Sequence, residues 1–505
     1  MKVFRNARVY AYDPGGKVFS GHDALVLDGP TIAGCDARDC GANVEAVDLG
    51  GATVLAAFAD CHVHVTDTGY FLDDRNLSGT RSYEDFAAAV ERLQGERIVF
   101  AGQYDESAWL DGKSADARPL ERAHANSLAM LVRVDGHSCV VNRKTLSWLE
   151  LPADTEGIER GADGTPTGKL FLNANWRAQA AFMKKIPRET KRAAERRAAG
   201  LALSRGALHL HAQLVGFERD EYAAEIAALA QIHGVKWYPK ICEPDPRLAR
   251  ELGLRYIGGD VFLDGSIGSC TAAVSEPFLA ASEGAERGSG ALNYTDEQLY
   301  EYFESAERLG ISAGVHAIGD RAIEQCISTW ERVLDGAQSA RGNRHFIEHF
   351  EIAEQRHIER CAELGLHLSM QPQFDLLWGG AGRMYDERLG TPRMRSMNAL
   401  GRAQRAGAVL CGGDDSPVCE LDPLAGMQSA VDHHEPEERL TPAQALAMYT
   451  YNAALLGHAE TSTGNLAPGL AADFVVLDGD PLEGTPFTEC TVLATWSDGE
   501  CVYAR

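Results

Sequence analysis

The stretch Asp60-Cys61-His62-Val63-His64 places two imidazoles two residues apart. It follows an apolar run, Thr53-Val54-Leu55-Ala56-Ala57-Phe58, that reads as a buried strand. On a strand, residues i and i+2 project to the same face, so His62 and His64 could chelate one metal ion. Imidazole suits zinc, iron, nickel and copper alike, and the pair by itself does not choose among them. The plain alternative is a strand that happens to carry two histidines. Other residues weigh on this. His316 ends an apolar run in Gly314-Val315-His316-Ala317-Ile318-Gly319-Asp320, Glu348-His349 ends another, and Asp415 lies in Gly412-Gly413-Asp414-Asp415-Ser416-Pro417-Val418. A metal held by such groups lowers the pKa of its bound water toward about 7 and polarises a carbonyl. A neighbouring carboxylate can take the proton as water attacks and pass it to a leaving group.

Such residues need a scaffold that gathers strand ends. After the His-x-His strand, further strands are expected at 207–212, 235–241, 260–263, 311–316, 345–348, 366–370 and 408–411, with helical runs such as 221–233, 295–309 and 353–364 between them. Eight alternating βα units suggest a closed parallel barrel, whose active sites are built at the C-terminal ends of the strands. Residues 66–205 are too long for one connection and read as an inserted lobe with strands of its own at 98–101 and 129–134. The charge run over 188–205 reads as a solvated helix face. Residues 1–55 and 455–505 both read as short strands without a partner layer, and together they make one small β-sandwich domain. The barrel then occupies 56–454.

At 505 residues the chain should hold about two to four structural units, and a 45% apolar fraction is ample for a large core. The formal charge of −25 argues against a nucleic-acid partner or an anionic membrane surface. No apolar run approaches the roughly 20 residues of a membrane span, and the first residues alternate like a strand rather than a signal peptide. The twelve cysteines are scattered without a Cys-x-x-Cys pair, which fits reduced thiols in a cytoplasm.

With these motifs in view, the chain resembles the amidohydrolase superfamily, and within it the branch that includes N-substituted formamide deformylase. The resemblance runs over nearly the whole length: Asp60-Cys61-His62-Val63-His64, Val134-Asp135-Gly136-His137, Leu263-Asp264-Gly265-Ser266, His316-Ala317-Ile318-Gly319-Asp320, Ile347-Glu348-His349, Ser369-Met370-Gln371-Pro372, Asp415-Ser416-Pro417 and Gly469-Leu470-Ala471-Ala472-Asp473. It implies an α/β fold, a distorted (β/α)8 barrel with an accessory β-sandwich. It implies a divalent metal, zinc by family preference, held by His62, His64, His316, His349 and Asp415. Asp415 would also be the general base. His137, Gln371 and His211 match positions near the substrate. For His137 the alternative is a role in the turn at Gly136. Asp264, Asp320 and Glu348 would brace the ligands, and Asp375 and Trp378 would line the pocket. The implied activity is hydrolysis of a C–N bond in a small non-peptide molecule, an amide or N-formyl compound first, with deamination second. A non-catalytic barrel is the third reading, and retention of His62, His64, His349 and Asp415 argues against it. Many relatives of this kind are homo-oligomers.

One position departs from that branch. Where relatives carry a lysine that is carbamylated and bridges two metals, this chain has Asp260, four residues before Asp264. Asp260 could bridge two metals, bind one, or stand beside a single-metal site. Lys236 and Lys240 are the nearest replacements, one strand away. Because aspartate is much shorter and a strand in a closed barrel resists moving inward, the expectation is one tightly held metal. His62, His64 and Asp415 would bind it, His316 would complete the shell, and Asp260 would be a weak ligand or hydrogen-bond partner.

Overall fold

A computed structural model describes residues 1–36, 44–93, 97–279, 288–334 and 340–505. The chain opens with β1 (Lys2–Asp13), β2 (Val18–Asp28), β3 (Thr31–Gly34) and β4 (Glu45–Ala56). The barrel begins at β5 (Phe58–Val63), with Ala57 as the only residue between. The apolar run that reads as one strand is therefore two. Thr53–Ala56 pairs antiparallel with the far C-terminus, whereas Phe58 turns its N–H to Gly206 O at 3.0 Å. An unbroken hydrophobic run records burial but not the change of sheet.

An inserted lobe follows, built on β6 (Ile98–Tyr104), β7 (Leu128–Arg133), β8 (Ser138–Val141), β9 (Ile158–Arg160) and β10 (Pro166–Phe171), a five-stranded sheet in the order β6-β7-β8-β10-β9. Its last helix, Arg188–Ser204, is not simply a solvated face. Ala194, Ala198, Ala199 and Ala202 are buried along one side, and Glu195 is buried with them.

The chain then returns to the barrel with β11 (Ala207–Leu214), β12 (Lys236–Trp237), β13 (Lys240–Ile241), β14 (Tyr256–Ile257), β15 (Ser312–Ala317), β16 (Phe346–His349), β17 (His367–Met370) and β18 (Val409–Gly412). β5, β12 and β13 pair with β11, and β14 to β18 form a consecutive parallel sheet. Single contacts join the two arcs: Gly258 N–H to Ile241 O at 2.8 Å, and a bridge between Val63 and Ser416. The result is a curled, partly open barrel. Pro239 lies between β12 and β13; lacking an N–H, it breaks what the sequence suggests is one strand. The expected strand at 260–263 is also reduced. Regular pairing stops at Ile257, and only the bridge between Phe262 and His316 continues it.

Helices form where the sequence supplies caps. Asp296–Leu309 starts at Thr295 in a reciprocal capping box with Gln298 and stops at Gly310, whose φ is 67°. Among the described residues no helix is long and apolar enough to cross a membrane.

Finally β19 (Phe474–Leu477), β20 (Val492–Ser497) and β21 (Glu500–Ala504) join the first four strands in one seven-stranded sheet, ordered β21-β20-β19-β4-β1-β2-β3. Strands from both chain ends are thus neighbours. Phe4 meets Phe474 and Trp496 edge-on at 5.1 and 5.0 Å between ring centroids. Asp473 ties this sheet to the barrel, accepting from Lys236 Nζ at 2.8 Å and Thr463 Oγ1 at 2.7 Å. A chain ending near residue 460 would leave β4 without β19 and uncover Phe4 and Val54. We expect it to be insoluble, measured as the soluble fraction on expression; a soluble, active truncation would refute the shared sheet.

Candidate metal centre

The centre lies at the C-terminal ends of the barrel strands. Asp60 sets the first geometry. Its buried Oδ1 accepts from the backbone N–H groups of His62 and Asp414, each at 3.0 Å, and so joins the ends of β5 and β18. Burial pushes its pKa up to about 7. The Asp415 N–H bonds to His62 O and the His64 N–H to Ser416 O, both at 2.8 Å. Asp415 and His349 adopt left-handed φ values of 53° and 71°. Such values are uncommon outside glycine and persist only where the surroundings enforce them. Here they turn two functional side chains inward. Asp414 points elsewhere: its Oδ2 accepts from the Asp422 N–H at 2.7 Å.

His62 Nε2 lies 3.3 Å from both Asp260 Oδ2 and Asp415 Oδ1. His64 Nε2 lies 3.2 and 3.1 Å from the same two oxygens. On the other side, His316 Nδ1 and His349 Nε2 approach Asp260 Oδ1 at 3.8 and 3.9 Å. His62 Nε2, both Asp260 oxygens, His316 Nδ1 and Asp415 Oδ1 are buried without a hydrogen bond. Buried polar atoms are almost always bonded. A set of them converging on one space fits a bound cation, and imidazole with carboxylate is a donor set for zinc and similar divalent ions. Asp260, expected as a weak ligand or hydrogen-bond partner, turns both carboxylate oxygens to this space.

The charges agree. Burial disfavours the imidazolium of His62, yet Asp260, Asp415 and Glu348 hold its pKa well above the ordinary value. Burial would raise Asp415, but His62 and His64 hold it well below the usual carboxylate range. The site therefore carries concentrated negative charge with cationic counterparts drawn to it.

Outer partners lie behind three of the rings. Glu348 Oε2 lies 3.0 Å from His62 Nδ1, and the buried Lys240 Nζ donates to Glu348 Oε1 at 2.6 Å and to Cys61 O at 2.9 Å. His349 Nδ1–H donates to Gln371 Oε1 at 2.8 Å, and His316 Nε2–H to Gly265 O at 3.1 Å. Because Gln371 Oε1 and Gly265 O are acceptors, the hydrogens of His349 and His316 sit on their outer nitrogens and their inner nitrogens face the centre.

A cavity of about 500 Å³ opens onto His64, His316, His349, Asp260 and Asp415. The inserted lobe roofs it with His137 and Trp176. The His137 ring is 5.2 Å from that of His316, and burial, then His316, pull its pKa down to about 3, so it is neutral. Trp378 lines the cavity, but Asp375 turns to His433 and His434.

Some expected roles change. Gln371 meets His349, not the cavity. His211 stacks on Tyr238 inside the barrel, with centroids 4.7 Å apart and planes 10° apart, and is not among the described residues that line the cavity. Residues alternate along β11, but alternation does not say how far below the mouth a side chain sits. Asp264 receives the N–H groups of Ile318, Gly319 and Ala273 and also lies 3.6 Å from His316 Nε2, whereas Asp320 receives the N–H of Ser275 and holds a loop. Lys236 is engaged by Asp473 and Asp498 in the terminal sheet.

Other functional candidates carry no sequence signal of their own. Glu351 lines the cavity and accepts from Tyr385 O–H at 2.6 Å. Arg133 is held by Asp105, Glu106 and Asp135 at 2.8–2.9 Å. Ser266 and Ser269 also donate to Asp135, pinning the lobe to the barrel.

Replacing both His62 and His64 by Ala should abolish stoichiometric metal binding, read by elemental analysis of the purified protein. Full occupancy in that variant would remove both from the centre. Lys240→Met would leave the Glu348 carboxylate buried without its cation, and breaking such a pair costs about 3–5 kcal/mol. Denaturant unfolding should show the loss, and an unchanged midpoint would contradict the ion pair's role.

A model of the amidohydrolase family matches residues 45–503. Protein LONG AFTER FAR-RED 3 of Arabidopsis thaliana is 27% identical over 495 residues, covering 90% of this chain and 83% of that protein. N-substituted formamide deformylase of Arthrobacter pascens is 25% identical over 534 residues, covering 97% and 94%. The crystal structure of an uncharacterized metal-dependent hydrolase from Pyrococcus horikoshii OT3 has the same fold, with a TM-score of 0.74 at 24% identity over 97% of this chain and 99% of that one.

Proposed function

This chain belongs to the amidohydrolase family, and we propose that it hydrolyses a carbon–nitrogen bond of a small non-peptide molecule, an amide or N-formyl compound, using water activated at a divalent metal. The observation that carries this reading is the set of unbonded, buried histidine and aspartate atoms at the floor of the cavity. His62, His64, His316, His349, Asp260 and Asp415 would hold the metal, and zinc suits these donors. When bound, the metal supplies a Lewis acid and a water of lowered pKa.

The residues do the rest. Asp415, held ionised by His62 and His64, accepts the proton of the attacking water and returns it to the leaving nitrogen. His137, neutral at the roof, donates a hydrogen bond to the substrate's carbonyl oxygen. Phe71, Phe100, Trp176, Phe262, Phe374 and Trp378 give apolar walls that exclude water. Arg133, the guanidinium among the described lining residues, already answers three carboxylates. An acidic substrate therefore meets no free cation there, and we assign an uncharged one. The likeness to N-substituted formamide deformylase supports this choice. The net charge of −25 speaks against nucleic acid, and the scattered cysteines suit the cytoplasm. We take 1–55 with 455–505 as one domain and 56–454 as the barrel domain.

Uncharged aryl and alkyl amides and formamides, screened for released amine and acid, test the reading. Amine with formate or carboxylate is expected. Ammonia release from amino-bearing substrates alone would make it a deaminase instead. Asp415→Asn keeps the side-chain shape and removes the base; turnover should fall by about 10²-fold or more, measured as kcat on protein with a wild-type circular dichroism spectrum. Near-wild-type turnover would take Asp415 out of the mechanism.

A further inference from the structure

We infer that Glu351 is a specificity-determining residue of the cavity, and that its carboxyl group receives a neutral hydrogen-bond donor, a hydroxyl or N–H, carried on a flat ring of the substrate. The inference rests on the hydrolase reading above and adds what the uncharged substrate presents away from the reacting bond. Glu351 lines the cavity yet is only 3% exposed. Its Oε2 accepts from the Tyr385 O–H at 2.6 Å, and Tyr385 is the one hydrogen-bond donor to this side chain among the described residues. Oε1 is left without a donor. Both oxygens of a carboxyl group are acceptors, and a buried polar atom costs stability unless it is bonded.

The backbone holds Glu351 in place. The chain leaves β16 through His349 and Phe350, with φ of 71° and 54°. It is then pinned at and just after the residue: the Asn398 N–H bonds to Glu351 O and the Ile352 N–H to Ile318 O, both at 2.9 Å. Four donors of the cavity lining are committed elsewhere. The Ser266 O–H goes to Asp135, the Arg133 guanidinium to three carboxylates, Trp378 Nε1–H to Asp105 at 3.0 Å and His349 Nδ1–H to Gln371. None of the four turns to Oε1 without giving up a partner, so the missing donor comes from the bound molecule.

The neighbours of the carboxyl group describe the rest of that molecule. Phe374 and Trp378, on the helix Pro372–Trp378, and Tyr385, on the helix Met384–Leu389, line the same cavity. The Phe374 and Trp378 rings have centroids 5.3 Å apart and planes at 59°; those of Trp378 and Tyr385 are 6.2 Å apart at 58°. Tilted rings in a row offer faces and edges to a further ring, the arrangements that aromatic pairs prefer. A ring with one donor thus matches an aromatic wall with one open acceptor. A neutral donor suits the place better than an ammonium, because Glu351 follows His349, a proposed ligand of the cation, by two residues, and like charges repel.

The test uses the full metal-loaded chain with ring-substituted formanilides and benzamides, carrying hydrogen, hydroxyl, methoxy or aminomethyl at the ortho, meta or para position. At one position at least, the hydroxyl compound should exceed its hydrogen and methoxy counterparts by about 10²-fold in kcat/KM, the scale of a hydrogen bond to a charged group. In Glu351→Gln the amide oxygen can keep the Tyr385 O–H and turn an NH₂ donor to the cavity, so the preference should vanish or invert. Glu351→Asp, which withdraws the acceptor by one methylene, should also lower it and serves if the first variant fails to fold, as circular dichroism reports. Equal kcat/KM across the substituents would overturn the subsite and leave the hydrolase reading standing. The same preference in both folded variants would overturn the role of Glu351, and a stronger preference for the cationic aminomethyl compounds would overturn the neutral donor. Calorimetry with phenol and anisole separates the two readings if neither series is cleaved. Phenol bound more tightly by the wild-type chain, and not by the variants, would sustain the subsite while the amide reading falls; phenol bound no better than anisole would overturn both.

Discussion

Keeping several polar atoms buried and unbonded at one point is the constraint around which this molecule is arranged. Each such atom carries a desolvation penalty unless a partner compensates it. In this chain the unbonded atoms are of two kinds, imidazole lone pairs and carboxylate oxygens, and they face one another across a few ångströms. The surroundings prevent them from relaxing. Glu348 and Lys240 hold His62 from behind, Gln371 holds His349, and Gly265 O holds His316. The anionic partner of His62 is itself neutralised by a lysine that never reaches the cavity. A divalent ion satisfies all of these atoms at once, so stability and chemistry are served by the same event.

The same logic extends outward. The barrel is joined across its two arcs by few backbone bonds, and side chains near the centre supply much of the remaining linkage. Asp60 ties β5 to β18, Asp264 gathers three N–H groups around the loop after β15, and Asp473 fastens the terminal sheet beneath. The lobe is fixed over the cavity by Asp135, which meets Arg133 from its own side and two serines from the barrel. Acidic residues thus act mostly as acceptors for specific donors, and the negative surplus of the composition is only partly a surface property.

Much of the centre was legible in the chain because metal ligation uses few residue types and strand geometry repeats every two residues. His62 and His64 needed only that period, and His316, His349 and Asp415 needed only their places at the ends of apolar runs. Roles that depend on height within the barrel were not legible. His211 has the same pattern as His64 and ends up stacked on Tyr238. Gln371 belongs to a recognisable motif, yet its oxygen serves His349. Asp320 braces a loop, because its donor is the backbone N–H of Ser275, from a segment far away in the chain.

The sequence by itself determined the class of fold and the chemistry available, since alternating strand and helix signals and a small set of donor residues leave few other outcomes. It also determined that the two ends of the chain would need each other, because neither could bury its apolar face alone. Only the tertiary structure decided where the terminal sheet stops and the barrel starts, which lysine balances Glu348, and how far Asp260 reaches. The last of these turned on Gly258 and Gly259. Their left-handed backbone moves a strand inward where pairing alone would have held it out, and that freedom is visible only once the neighbours that exclude every other side chain are in place.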